Sequence, residues 1–305
     1  MRALLLVAVL LAGCASAPEA PAGTRGKAEA ALRSGTAFLL QAQNPDGSWG
    51  SPDTVALKDS AMGFDLTPGP QEAVRNAVTA LCAQALLRSP LKDAKSGQAA
   101  AKALSFLLDR WRTGYEKELT FHCWSYAYTI EALLDGLACP EGAPLRDRIR
   151  QTVPGLIEGL RSQQRHEGGW TYYGGPGAQG TSMSFTTATV LLALTRAARE
   201  GFELPHGLTE DAAEALRSMR FPDGRFNYGS YLWDKPEIPL SPLGAGARTQ
   251  AGALALFEDG RRRGKGPGLD TLRESLKGFF ETADYLELGR KRIIPHKDAP
   301  HMISG

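Results

Sequence analysis

The sequence is poor in side chains that react or bind metals unaided: four cysteines and five histidines among 305 residues. Charge of one sign is missing too. Thirty-five Lys and Arg stand against 33 Asp and Glu, a net charge of +2. That balance implies neither nucleic-acid binding nor an acidic disordered tail. Long apolar runs are scarce. The single unbroken one, Ala3 to Ala12, is too short to cross a bilayer as a helix. Past Cys14 three cysteines remain, Cys82, Cys123 and Cys139, and an odd number gives no disulfide framework. Cys82 and Cys139 fall within or at the end of apolar helical stretches, where cysteine serves as a small core residue. With 43 % hydrophobic residues, the chain has what a substantial globular core requires.

The N-terminus is the first positive feature. Met1-Arg2 gives a brief positive start, the apolar run follows, and Leu11-Ala12-Gly13-Cys14 closes it with small residues, as a cleavage site does. These four residues resemble a bacterial lipobox, whose cysteine is acylated after cleavage. An ordinary secretory signal with an incidental cysteine is the alternative. The resemblance implies a lipoprotein signal peptide over residues 1–13, with Cys14 lipidated. It also implies export to a membrane-anchored position at the outer membrane or periplasmic face. Residues 14–26, rich in Pro and Ala, read as a tether, and 27–305 as the folded domain.

Within that domain, apolar helices each carrying a threonine recur around Thr79, Thr129, Thr189 and Thr249, at separations of 50, 60 and 60 residues. A period of this size marks stacked supersecondary units. The recurring stretches, 71–88, 122–137, 184–200 and 244–258, are rich in Ala, Leu and Val and predict helices buried on most sides. Between them, 27–43, 98–111, 145–164, 210–220 and 269–288 predict amphipathic helices with charged outer faces. In the first of these, Ala28, Ala31, Leu32, Gly35, Phe38, Leu39 and Ala42 trace the apolar face. Three outer helices end in related turns: Asn44-Pro45-Asp46-Gly47-Ser48-Trp49, Arg165-His166-Glu167-Gly168-Gly169-Trp170 and Pro222-Asp223-Gly224-Arg225-Phe226. The first two follow a glutamine, Gln43 and Gln164. Trp49, Trp170 and Phe226 are expected to wedge between neighbouring hairpins.

A helix ending in Gln, a turn with Asp-Gly or Gly-Gly and an aromatic, then an apolar helix, resembles the prenyltransferase and squalene-oxidase repeat of triterpene cyclases and protein prenyltransferase β-subunits. The resemblance covers nearly everything after residue 27 and implies an all-α fold, an α/α-toroid whose inner helices line a central cavity. An open helical-hairpin solenoid is the alternative. The Asp-x-Asp-Asp run by which triterpene cyclases protonate an alkene does not occur here, so classical cyclase activity is not implied. Phe121-His122-Cys123-Trp124-Ser125-Tyr126 resembles the zinc-binding segment of protein prenyltransferases, with Cys123 at the cysteine ligand and Phe121 at the aspartate position. Asp298-Ala299-Pro300-His301 resembles the stretch supplying the histidine. The resemblance thus offers His122, Cys123, Asp298 and His301 as zinc candidates.

The long connections, 44–70, 166–183 and 221–243, all fall where inner helices begin, and connections of this length in a compact domain are usually functional. They hold Trp170, Tyr172, Tyr173, Tyr228, Tyr231 and Trp233. With Trp124 these give an aromatic rim at a cavity mouth, a candidate site for an isoprenoid or other lipid, a glycan or a peptide. Glu131 and Asp135, four apart on one helical face, suit a general acid/base pair of a carbohydrate lyase or hydrolase, or ion pairs with arginines such as Arg75 or Arg248. The expected function is ligand or partner binding without catalysis. The alternative is an enzyme of the cyclase and transferase superfamily with altered machinery. The last outer helix lacks a following inner one, so Leu272, Leu276, Phe279 and Phe280 are expected to offer a self-association face.

Overall fold

Alternating helix character is realised as two layers of helices. The computed structural model describes residues 23–52, 57–59, 64–112, 114, 118–174, 181–230 and 246–281. Its helices are α1 (Thr24–Ala42), α2 (Pro68–Arg88), α3 (Ala94–Arg110), α4 (His122–Ala138), α5 (Arg146–Ser162), α6 (Ser184–Arg199), α7 (Leu208–Ser218), α8 (Gly246–Arg262) and α9 (Leu269–Glu281). A 3-10 turn, Pro140–Leu145, leads into α5. No described helix is long and apolar enough to cross a membrane.

Local chemistry sets several of the helix starts. Pro68 and Pro70 open α2 with φ already helical, at positions whose N–H groups no helical bond would use. Asp93 caps α3 through a reciprocal box: its carboxylate accepts from the Ser96 N–H at 2.8 Å, and the Ser96 hydroxyl oxygen accepts from the Asp93 N–H at 2.9 Å. Glu210 and Asp211 lie in the first turn of α7 and Arg217 in its last, each favourable to the helix dipole.

The inner helices α2, α4, α6 and α8 form one row, each packed on the next. Helix α3 packs on α2 and α4, α5 on α4, α7 on α6 and α8, and α9 on α8. The core lies between the layers. Ile149, Val153, Leu156, Ile157 and Leu160 form one stripe of α5 and are fully or almost fully buried, facing Leu104, Leu107, Leu133 and Leu134 in a common cluster. Burying each such side chain contributes roughly 1.5–3 kcal/mol.

Two expectations need correction. Helix α1 begins at Thr24, inside the stretch read as tether. Its apolar face does not reach the core: Ala28, Ala31, Leu32, Gly35 and Ala42 are exposed, and Phe38 is 67 % exposed. The reason is placement, since α1 leans on α3 and only Leu39 and Leu40 pack against the core. Within the long connection before α2, Leu57–Asp59 and Phe64–Leu66 pair as a short antiparallel hairpin. As expected, the inner helices are buried on most sides; on the side left open Val74, Leu81 and Leu254 are 42, 45 and 41 % exposed.

Candidate functional site

The first two of the related turns are built alike. In the first, the Gln43 amide donates to Gly47 O and, at 2.9 Å, to Ala99 O of α3. In the second, Gln164 donates to Gly168 O and, at 3.0 Å, to Leu208 O of α7. Each glutamine therefore ties its turn to the next outer helix. The indoles of Trp49 and Trp170 donate to Leu39 O and Leu160 O, both at 2.8 Å. Their backbone N–H groups donate to the hydroxyls of Thr79 and Thr187, both at 3.0 Å. In the third copy Phe226 N–H donates to Thr249 Oγ1 at 3.4 Å. Trp170 is thus a fully buried anchor and not a rim residue; its indole is held between layers by the turn chemistry.

From the second and third turns the chain is stitched across to α6. Met183 N–H donates to Trp170 O, Ser184 N–H to Tyr228 O, and Ser230 N–H to Ser182 O, at 2.8, 3.0 and 2.8 Å. The Ser184 hydroxyl donates to Asn227 O at 2.5 Å. On the other side Phe121 N–H donates to Tyr172 O at 2.8 Å. Phe121 takes up the left-handed region, φ 66°, uncommon for a bulky residue. That conformation starts α4, and the Phe121 ring stacks on Trp124 at 5.5 Å.

These stitches assemble an aromatic cluster from four separate stretches. Tyr172 lies 5.9 Å from Phe121, 5.2 Å from Trp124 and 6.2 Å from Phe185, ring to ring. Phe185 in turn lies 5.3 Å from Tyr228, over which the Arg248 guanidinium sits at 5.8 Å. Three hydroxyls form a chain: Tyr172 donates to Tyr173 at 3.1 Å and pairs with Tyr228 at 2.9 Å. Burial, followed by those two hydrogen bonds, pushes the Tyr172 hydroxyl well above the usual tyrosine pKa. It stays protonated at any physiological pH. Of the rim candidates, Trp124, Tyr172, Tyr173 and Tyr228 are brought together, while Tyr231 and Trp233 lie outside the described residues. Phe121, Phe185 and Arg248 join them without having been singled out as rim residues; a phenylalanine in an apolar helix carries no signal that separates lining from core.

At the opposite end of the inner row the chemistry is ionic. Asp135 accepts from Arg88 at 2.7 Å and from Arg196 at 2.6 Å, and Glu131 from the same arginines at 3.1 and 2.6 Å. Arg199 pairs with Glu258. Burial alone would lower the Arg196 pKa, but the Glu131 and Asp135 carboxylates outweigh it and hold it above the ordinary value. Glu131 and Asp135 are therefore committed to cations, and the partners are Arg88 and Arg196. Arg75 instead pairs with Asp46 at 2.5 Å, and Arg248 donates to Phe226 O at 2.9 Å. A hollow of about 350 Å3 at this end is lined by Arg88, Glu131, Leu192, Arg196, Leu254 and Glu258, drawn from all four inner helices.

Of the four zinc candidates, His122 and Cys123 fall among the described residues. Cys123 is fully buried, its thiol 3.3 Å from Thr171 O, and burial pushes its pKa up to about 12. That setting disfavours the thiolate a zinc site needs. His122 is buried and lies with Nδ1 3.3 Å from Thr120 O. Asp298 and His301 lie outside the described residues, as does Cys14. Among the described residues no group of three His, Cys, Asp or Glu converges as a metal site would require.

A second cavity, about 320 Å3, opens between the third turn, α8 and α9, with Arg220, Gly224, Gln250, Ser275 and Phe279 in its wall. It marks where the repeat departs from its pattern. Arg220 replaces the glutamine, so the third turn is not drawn onto the following outer helix.

No protein-family model matches the chain, and no curated protein matches it.

Proposed function

We propose that the chain is a noncatalytic α/α-toroid that binds an apolar ligand at the aromatic end of its inner row, held at a membrane through acylated Cys14. One observation carries the reading: Phe121, Trp124, Tyr172, Phe185 and Tyr228, from two helices and two loops, form one continuous set of rings at the loop-rich end. The alternation of inner and outer helices, and a hollow shared by all four inner helices, support the toroid.

The chemistry of the surface suggests the ligand's character. Aromatic faces and the open Val74, Leu81 and Leu254 side chains suit an apolar body such as an isoprenoid or other lipid. The Tyr172, Tyr173 and Tyr228 hydroxyls suit one hydrogen-bonding end. A glycan would want carboxylates beside the rings, and Glu131 and Asp135 are tied to arginines instead. Binding is preferred to catalysis because those carboxylates are neutralised and the Cys123 thiol is held protonated.

Native mass spectrometry of the chain extracted from its own membrane tests the reading. The wild type should retain a ligand mass that Tyr172→Ala combined with Tyr228→Ala removes. Truncating rings at a partly exposed rim should cost on the order of 1 kcal/mol, against about 3–5 kcal/mol for a core aromatic. A wild type without an adduct, or a double variant that loses stability on the core scale, would reject it. The membrane attachment has its own test: Cys14→Ser should move the chain from the detergent phase to the aqueous phase on partitioning. Unchanged partitioning would refute the tether.

A further inference from the structure

The helical array has two end faces, and neither is covered among the described residues. At one end α1 touches α3 but leaves Leu32 at 42 % and Phe38 at 67 % exposure, among exposed Ala28, Ala31, Gly35 and Ala42. At the other, α9 packs on α8 through its half-buried side and turns Leu269, Leu276 and Phe280 outward, 57, 49 and 70 % exposed. These three lie at i, i+7 and i+11, one stripe of the helix.

The two faces are matched in kind and opposed in charge. Helix α1 carries Arg25, Lys27 and Arg33 against Glu29, a net of +2, whereas α9 carries Asp270, Glu274 and Glu281 against Arg273 and Lys277, a net of −1. The α1 stripe sets Leu32 and Phe38 among Ala28, Ala31, Gly35 and Ala42, small residues that admit close approach, whereas the exposed α9 stripe is made of large side chains alone. A contact of α9 with a second α9 would join two helices of net negative charge and would lack the small residues that admit close approach.

We propose that the occupant of each face is a second copy of this chain, joined head to tail: α9 of one molecule seats Leu269, Leu276 and Phe280 on the small-residue face of α1 in the next. Such a contact is heterologous. Each copy keeps one face open, so assembly continues past a dimer into a ring or a filament.

Light scattering on the purified full chain, across a concentration series, tests this. The wild type should grow beyond dimer mass as concentration rises. Phe280→Asp and Phe38→Asp should each be monomeric alone. Mixed in equal amounts they should form a dimer and stop there, because one intact α1 face and one intact α9 face remain between the two variants. Leu276→Lys serves as a second α9 variant, and thermal melting confirms that each variant folds. Because these side chains are exposed, melting temperatures should stay near that of the wild type. A wild type monomeric at every concentration overturns the proposal. So does a Phe38→Asp variant that still dimerises, since that would place α9 against α9, and so does a mixture that stays monomeric.

Discussion

Individual residues of the turns show how tightly the repeat is built. Gly47, Gly168 and Gly224 all sit at φ near 90°, yet they do not face the same surroundings. A Cβ on Gly168 would stand 2.4 Å from Asp211 O, and one on Gly47 2.7 Å from Lys102 O. In both cases the obstacle is backbone of the next outer helix, which cannot give way locally. A Cβ on Gly224 meets only the flexible end of Arg220, at 3.5 Å. Both substitutions to alanine carry the left-handed backbone cost of about 1–2 kcal/mol. Gly168→Ala adds the displacement of α7 from the turn, and with it the Gln164 bond to Leu208 O. The urea midpoint should therefore fall at least twice as far for Gly168→Ala as for Gly224→Ala. Equal losses would mean that the close approach of turn and helix is not what stabilises the repeat.

Whole elements were the most legible part of the sequence, because period and composition report burial directly. The alternation of apolar and amphipathic stretches places inner and outer helices within about four residues of their bounds, except that the expected end of the last one, at 288, lies outside the described residues. Their finer register was not legible. The even spacing through Thr189 was a coincidence of composition: Thr187 accepts the Trp170 N–H, while the Thr189 hydroxyl donates to its own helix at Phe185 O. Before α4 the sequence has no copy of the aromatic turn, and the buried Thr129 hydroxyl finds no hydrogen-bond partner among the described residues. A threonine in an apolar helix looks the same whether it serves a turn or the helix. Helix α1 misled for a related reason: its 3.6-residue stripe of Ala, Leu and Phe is real, but periodicity shows that a face is apolar without showing what covers it. The aromatic cluster was half legible. Loop tyrosines stand out against polar surroundings, whereas Phe121 and Phe185 on helices do not.

At the scale of the whole molecule, the row of inner helices is held at its two ends by different forces. Ring contacts and backbone stitches hold one end, and a ladder of ions the other. Asp135 and Glu131 on α4 bind Arg88 of α2 and Arg196 of α6, and Arg199 carries the chain on to Glu258 of α8. In a stacked array each unit meets only its neighbours, so coupling across a boundary decides whether the array unfolds as one. Asp135 is the rung with most to lose: its side chain is 8 % exposed, against 54 % for Arg88. Asp135→Asn should destabilise by about 1–3 kcal/mol, between the surface and buried limits for an ion pair. Arg88→Met should cost less than about 1 kcal/mol because its guanidinium is largely in water. The same loss of coupling should broaden the urea transition of Asp135→Asn, lowering the apparent slope, as the α2–α4 and α6–α8 halves begin to open separately. A sharp transition with an unmoved midpoint in Asp135→Asn would mean that the apolar seam between α4 and α6 carries the coupling by itself.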